Sequence, residues 1–267
     1  MLARTTRASF LIAVMLLGAI DLAAQTKSKY ELGFPFVGFW TLAPNGRDFN
    51  QAAACGPAVG GAGRCSVPLD RLKPYLHPRA LAWMEYAGIS DEALSGKWEC
   101  AATPLPSSLE DPFTIRMVAE TEIHIQGNWD NDITRIIHMD GRKHPDGYDR
   151  LTYRGDSIGW FEGDELVIET TNFTFDPDGL DDHLHLASSP RKKVTERYKK
   201  TAPDKMTMTI THEDSLFLKK PFTWSLSFVK GDPSKVSVFG LPYEPTPCDP
   251  GAAHQELELF KDKYEGK

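Results

Sequence analysis

The sequence predicts an all-β protein built around one antiparallel β-barrel, with a short helical segment before it. From about residue 113 onward, apolar and polar residues alternate with the period of two that is typical of β-strands. Turn signals such as Gly163-Asp164 and Pro203-Asp204 separate the alternating segments, and no crossover helix lies between them. Strands joined by such short turns pair as antiparallel neighbours.

The alternating segments each have one apolar face, which fits a lipocalin-like barrel that encloses that face; a two-sheet sandwich is the alternative. The predicted strands are FTIRMVAETEIHIQG, DITRIIHMDG, DRLTYRG, SIGWFEGDELVIETTNF, KKVTERYKKT, DKMTMTITHED and FTWSLSFVKGD. In the segment KMTMTITHE, for example, Met206, Met208 and Ile210 face one way and the threonines face the other.

Residues 69–95 carry the helical signal, because LDRLKPYL and HPRALAWMEYAG place apolar residues at helical spacing. Pro74 and Pro78 interrupt this region. We place Pro78 in the first turn of the second helix, where its missing N–H costs nothing, and end that helix at Gly88. Residues 25–67 are predicted to be rich in loops.

The first residues, MLARTTRASFLIAVMLLGAIDLAAQ, are predicted to be a secretory signal. Arg4 and Arg7 precede an apolar run, and small residues precede Gln25. That run is shorter than the ~20 residues of a membrane span, so we expect no stable membrane insertion. The predicted organisation is a signal peptide over 1–24, a loop and helical extension over 25–99, a barrel over 100–250 and a polar tail over 251–267. We expect a periplasmic or secreted protein.

Charge and cysteine content narrow the class further. The net charge of −7 gives the chain no electrostatic reason to bind nucleic acid. Four cysteines in an exported chain predict disulfide bonds. A bridge between Cys55 and Cys65 would constrain the Gly/Ala-rich loop CGPAVGGAGRC, and Cys100 and Cys248 would then form the other bridge. All three pairings stay open, and a zinc site, without a CxxC motif, is the alternative.

Two charged residues stand on otherwise apolar strand faces. Arg135 shares a face with two isoleucines, and Glu196 shares a face with Val194 and Tyr198. Because an unpaired buried charge is too costly, each residue either pairs with another inward charge or points into a cavity that holds a substrate. In the second interpretation Glu196 is a candidate general acid or base, and Arg135 and Tyr198 contact the substrate.

Residues 136–173 hold a second group of chemically capable side chains. His144 and Asp140 are candidate catalytic residues, although His144, next to a proline, also suits a turn. Arg142 and Arg197 are candidates to hold a carboxylate or an oxyanion, and Trp160 to stack on an aromatic ring. Glu196 and Arg197 are neighbours on one strand, so a regular strand cannot turn both inward.

The motif HLH in DGLDDHLHL could place His183 and His185 on one strand face for zinc or copper. Because no third ligand follows at a recognised spacing, we predict an acidic loop and no metal there. No nucleotide-binding, metalloprotease, hydrolase-elbow or haem motif occurs in the chain, so we predict no cofactor.

Several segments together resemble a family of exported bacterial proteins that are mostly known only as hypothetical. In that family the segments read RxIYxDGRxHP, GHSIGxWEGDTLVVDTxxF, LHxxERF, DDP and xPWT; here they read RIIHMDGRKHP, GDSIGWFEGDELVIETTNF, VTERY, HED and KKPFTW. The resemblance covers about residues 36–250 and implies one shared domain, export and no established activity. The chain departs from the pattern at Asp156 and Lys193, which replace histidines.

These residues lead to two hypotheses of different class. The first is a cofactor-independent lyase that acts on a carboxylated or aromatic small molecule. The second is a non-catalytic periplasmic ligand carrier or structural domain, in which the same charges form an internal network of ion pairs. Geometry separates them, since the enzyme hypothesis requires Glu196, Arg197, His144 and Arg142 to converge on one solvent-connected pocket.

Overall fold

The computed structural model describes most of the chain between residues 31 and 242. The described residues are 31, 33–47, 69–87, 105, 109, 112–127, 134–147, 150–181, 184, 186–233, 237–238 and 241–242. The four cysteines, Gly88, His183 and His185 lie outside them, so the expectations for these residues stay predictions.

The described residues form thirteen strands and two short helices. The strands are β1 (Gly38–Arg47), β2 (Phe113–Ala119), β3 (Glu122–Gly127), β4 (Arg135–His138), β5 (Asp156–Glu162), β6 (Glu165–Thr171), β7 (Asp176–Asp181), β8 (Leu186–Ser188), β9 (Lys193–Ala202), β10 (Lys205–Glu213), β11 (Phe222–Lys230), β12 (Ser237–Val238) and β13 (Leu241–Pro242). Nine of these strands close a barrel in the order β1-β11-β10-β9-β6-β5-β4-β3-β2. The prediction of an all-β barrel is thereby confirmed, and the sandwich alternative is wrong.

The barrel is antiparallel at every junction except one, where β4 and β5 run parallel. Only two residue pairs, Ile137 with Ser157 and His138 with Ile158, are in register at this junction. The chain between the two strands must therefore return along the barrel before β5 begins. The segment DRLTYRG, predicted as a strand, lies in this return and contributes a single bridge from Thr152 to Phe173. The prediction of a purely antiparallel sheet is wrong at this seam.

Strand β1 closes the barrel, although its residues belong to the segment predicted as loop-rich. It pairs with β2 on one side, where Trp40 faces Phe113, and with β11 on the other. Trp40 is fully buried, and its indole N–H donates to the Phe36 carbonyl at 2.8 Å. The barrel thus begins before residue 100. The sequence of β1 resembles a loop because the typical turn residues Pro44, Asn45 and Gly46 stand inside the strand.

Large side chains from facing strands fill the barrel in layers. In one layer Tyr198 lies in register with Met208 and Leu166, and Met208 with Leu226. All four of these side chains are buried. The alternation predicted for β10 and β11 is confirmed, because apolar side chains of both strands point into this interior.

Helices and a hairpin cover the barrel end at which β9 starts and β10 stops. The chain forms α1 (Leu69–Leu72), a 3-10 turn (Lys73–Tyr75) and α2 (Pro78–Ala87), which begins at Pro78 as predicted. Leu76 bridges to Leu218 in the turn between β10 and β11, and α2 packs against β8. Because β7 and β8 pair as an antiparallel hairpin, part of the segment predicted as an acidic loop is strand. None of the described helices is long and apolar enough to cross a membrane.

Candidate functional site

A buried ion pair crosses the inside of the barrel between β4 and β9. The Arg135 guanidinium donates to both carboxylate oxygens of Glu196, at 2.7 and 3.1 Å. It also donates to the hydroxyls of Ser157 on β5 and Thr170 on β6, and the Tyr198 hydroxyl donates to Glu196 at 2.6 Å. Arg135 is 2% exposed and Glu196 is fully buried.

This network joins four neighbouring strands across the parallel seam. Its two charges neutralise each other, and the surrounding hydroxyls form further hydrogen bonds with both groups. Burial and the adjacent charge of Glu196 raise the pKa of Tyr198 well above its ordinary value, so that its hydroxyl stays a donor. The geometry fits the interpretation in which the inward charges tie strands together.

His144 lies on the opposite side of the barrel wall. Its Nδ1 atom is 2.7 Å from Asp156 and its Nε2 atom is 3.4 Å from Glu169. Lys193 also contacts Glu169, at 3.6 Å, and pairs with Glu213 at 2.7 Å. These residues alternate with the inward Ser157, Thr170 and Val194 of the same strands, so they face outward. The two departures from the family pattern, Asp156 and Lys193, therefore both belong to this outer cluster.

Asp140 and Arg142 form a local ion pair at the surface. Arg142 donates from its backbone and from its guanidinium to the Asp140 carboxylate. These hydrogen bonds lower the pKa of Asp140 to about 2. The Arg142 and Asp140 side chains are 48% and 32% exposed, so the pair is solvated and each group is occupied by the other.

Trp160 and Arg197 lie on the outer face farther along the barrel. Both bind Glu162, since the Trp160 indole donates at 2.9 Å and the Arg197 guanidinium at 2.7 Å. Trp160 is 36% exposed. Its neighbour Phe161 turns instead toward the end of the barrel, where it contacts the ring of Phe34.

The four residues required by the enzyme hypothesis do not meet in one pocket. Glu196 lies inside the barrel, whereas Arg197, Arg142 and His144 lie outside the wall with other partners. The reason is the strand period of two, which separates Glu196 from Arg197, together with the course of the return segment over the outside. The convergence that the enzyme hypothesis requires is therefore not found for these four residues.

A different buried cation lies at the covered end of the barrel, just before β9. Lys192 is 2% exposed, and its ammonium donates to the carbonyls of Leu105 and Gly179. Its Nζ atom lies 4.6 Å from the centre of the Phe173 ring. Burial lowers the pKa of Lys192 to about 8, against the opposing influence of Asp176 and Asp214.

His212, at the end of β10, lies at the same end of the barrel as this lysine, because it is in register with Val194, two residues after Lys192. Burial, and then the charge of Lys192, lower the pKa of His212 to about 3, so the imidazole is neutral at physiological pH. Among the described residues neither of its nitrogens has a hydrogen-bond partner, and the same holds for the hydroxyl of buried Ser188. Buried polar atoms without partners are rare in folded proteins and point to a functional role or to a ligand.

The environment of this lysine and histidine combines aromatic and polar groups. Phe222 faces His212 across the β10–β11 pairing, and Ser188 lies against Gly179, whose carbonyl binds Lys192. Nearby Asp214 is already used, because it accepts hydrogen bonds from the backbone and hydroxyl of Ser189. The cluster therefore offers one cationic donor and one neutral imidazole with both a donor and an acceptor.

Lys192 and His212 are functional candidates that were not predicted from the sequence, although the strand period of two places both on inward faces. Continuing the face of Tyr198, Glu196 and Val194 by one more position leads to residue 192. Continuing the face of Met206, Met208 and Ile210 leads to residue 212. Both residues stand next to charged neighbours, which made the strand ends resemble solvated turns.

Comparison with protein-family models, with curated proteins and with solved structures gave no match. Within the described part of the chain, no group of three or more histidine, cysteine, aspartate or glutamate residues is placed to hold a metal ion.

The buried ion pair is expected to behave as one unit in unfolding experiments. Glu196→Gln leaves the Arg135 charge buried without its counter-ion, which should lower the free energy of unfolding by about 3–5 kcal/mol. Arg135→Met should lower the free energy of unfolding by a similar amount. The double variant should lose clearly less than the sum of the two single losses. Urea denaturation of the four proteins measures the coupling.

The matched control is the exposed pair formed by Arg197 and Glu162. Arg197→Gln and Glu162→Gln should couple by no more than about 1 kcal/mol, because solvent screens this pair. Additive losses for the buried pair, or equal coupling for both pairs, would contradict the assigned role.

His212 should make stability depend on pH. Its pKa is about 3 in the folded chain, against an ordinary value of 6.5, so the unfolded chain binds the proton first as pH falls. Its contribution is complete above pH 6.5 and is lost between 6.5 and 3, amounting to about 5 kcal/mol at most. Denaturation experiments between about pH 4 and 8 give the free energy of unfolding as a function of pH. This free energy should rise less steeply with pH for His212→Leu than for the natural chain. Equal slopes would refute this assignment.

Proposed function

We propose that the mature chain is an exported, non-catalytic carrier of a small carboxylated or aromatic molecule, which it holds at the covered end of the barrel. The observation that carries the proposal is a buried lysine and, at the same end of the barrel, a buried histidine whose nitrogens have no hydrogen-bond partner among the described residues. Lys192 would attract a carboxylate or another oxygen acceptor, and His212 would receive a second polar group of the ligand.

The burial of the Lys192 charge away from water favours a ligand that carries a carboxylate. Among the described residues, two carbonyl dipoles and a ring hold the Lys192 charge, rather than a directly bonded carboxylate. Binding a carboxylate there would compensate a charge that is costly to bury. The aromatic rings of Phe173 and Phe222 would supply the apolar contact that small-molecule sites usually offer.

The lipocalin-like character expected from the sequence would imply a ligand inside the barrel. The middle of this barrel is occupied by Trp40, Phe113, Tyr198 and Phe228, all nearly or fully buried, so we assign the ligand to the end. Lys192 and His212 are both closed off from solvent, and entry therefore requires the β7–β8 hairpin or α2 to move. A lyase activity stays a prediction. The four residues that the enzyme hypothesis requires do not form a common site.

The test is a thermal-shift screen of the mature protein against carboxylated aromatics, polyketides and sugars. A true ligand at about one hundred times its Kd should stabilise the chain by ~2.7 kcal/mol. The same compounds should give no shift with Lys192→Met.

Lys193→Met is the matched control, because Lys193 is adjacent in sequence but lies outside the barrel with Glu213. It should keep the natural response. Shifts that survive in Lys192→Met, or that Lys193→Met removes, would place the ligand elsewhere. No shift with any compound would favour a purely structural domain.

A further inference from the structure

We propose that Lys192 holds an aldehyde or ketone ligand covalently, as a reversible imine, with His212 as the group that relays the proton. This inference rests on the proposed carrier function and narrows its ligand to a molecule with a reactive carbonyl group. It stands on the position of the amine, on the two main-chain carbonyls that accept from it and on the unpartnered imidazole of His212. The strand register places His212 opposite Val194, two residues after Lys192, at the same end of the barrel.

The contacts that hold the Lys192 ammonium can also hold its neutral amine, which is the form that attacks a carbonyl carbon. A neutral amine has two hydrogens, and the carbonyls of Leu105 and Gly179 can accept one each. In that neutral form the lone pair points away from both carbonyls and serves as the nucleophile of the proposed reaction. With a pKa of about 8, roughly a tenth of the lysine is neutral at about pH 7, far more than for an exposed lysine.

His212 has the properties that a proton relay needs. Because it is neutral, one ring nitrogen carries a proton and the other can accept one, and neither is occupied by a described residue. The imidazole can therefore take a proton at one nitrogen and release another from the second, without passing through a buried imidazolium.

The reaction balances without any further reagent. The Nζ lone pair forms a bond to the carbonyl carbon, and the π electrons move to the oxygen. A proton passes from nitrogen to oxygen through His212 to give the carbinolamine. The C–O bond then breaks, water leaves with a second proton taken from nitrogen, and the C=N bond forms. Addition of water reverses the sequence and releases the ligand.

Reductive trapping tests the proposal. The mature protein is incubated with benzaldehyde and sodium cyanoborohydride, and peptide mass spectrometry locates the benzylated lysines. We expect Lys192 to be labelled at least ~10-fold faster than the exposed Lys199 or Lys205, in spite of its burial. Lys193→Met should label Lys192 at the natural rate, whereas His212→Gln, which keeps a donor and an acceptor but cannot relay protons, should slow labelling by ~10-fold or more.

The outcomes separate this inference from the carrier function. Labelling confined to exposed lysines, while carboxylates still stabilise the chain through Lys192, overturns the imine and leaves the carrier function intact. Labelling of Lys192 that is unchanged in His212→Gln overturns the relay. Loss of both labelling and ligand stabilisation overturns the imine and the carrier function together. Near-ultraviolet circular dichroism of each variant confirms that it is folded.

Discussion

The buried ion pair between Arg135 and Glu196 is the interaction on which the closed barrel depends. The parallel seam between β4 and β5 has only two pairs in register, so backbone hydrogen bonds alone hold it weakly. Arg135 reaches across that seam to Ser157 on β5, to Thr170 on β6 and to Glu196 on β9. One side chain thus links β4, which is weakly paired at the seam, to the three strands β5, β6 and β9. These contacts are strong because the barrel interior has a low dielectric constant.

The barrel wall also determines which side chains could act together in a site. Side chains that follow one another on β9 alternate between an apolar interior and water, so Glu196 is committed to structure while Arg197 joins a solvated ion pair. In the return segment, Arg142 binds Asp140, and His144 lies against Asp156 and Glu169 on the outside of the wall. At the covered end, Lys192 and His212 are as deeply buried as the ion pair, yet no carboxylate of the described residues bonds directly to the lysine. That contrast distinguishes the proposed site from the structural network.

Most of what could be predicted from the sequence came from the alternation of apolar and polar residues with a period of two. It placed Arg135 and Glu196 on inward faces. The same period, continued by two residues along the faces of Val194 and Ile210, leads to Lys192 and His212. It could not reveal the parallel seam, because DRLTYRG alternates like a strand while its chain direction is set by the distant pairing of β4 with β5. The period of two also did not predict β1, because this strand contains typical turn residues. Its strand conformation is stabilised by the tertiary closure of the barrel.

Hydrogen exchange at the seam tests most directly whether the ion pair holds it. The backbone amides of residues 135–138 and 156–159 are compared in the natural chain and in Arg135→Met. If the pair holds the seam, the opening free energy of these amides falls by as much as the global free energy of unfolding, about 3–5 kcal/mol. Seam amides that keep their natural protection while global stability falls would contradict this role.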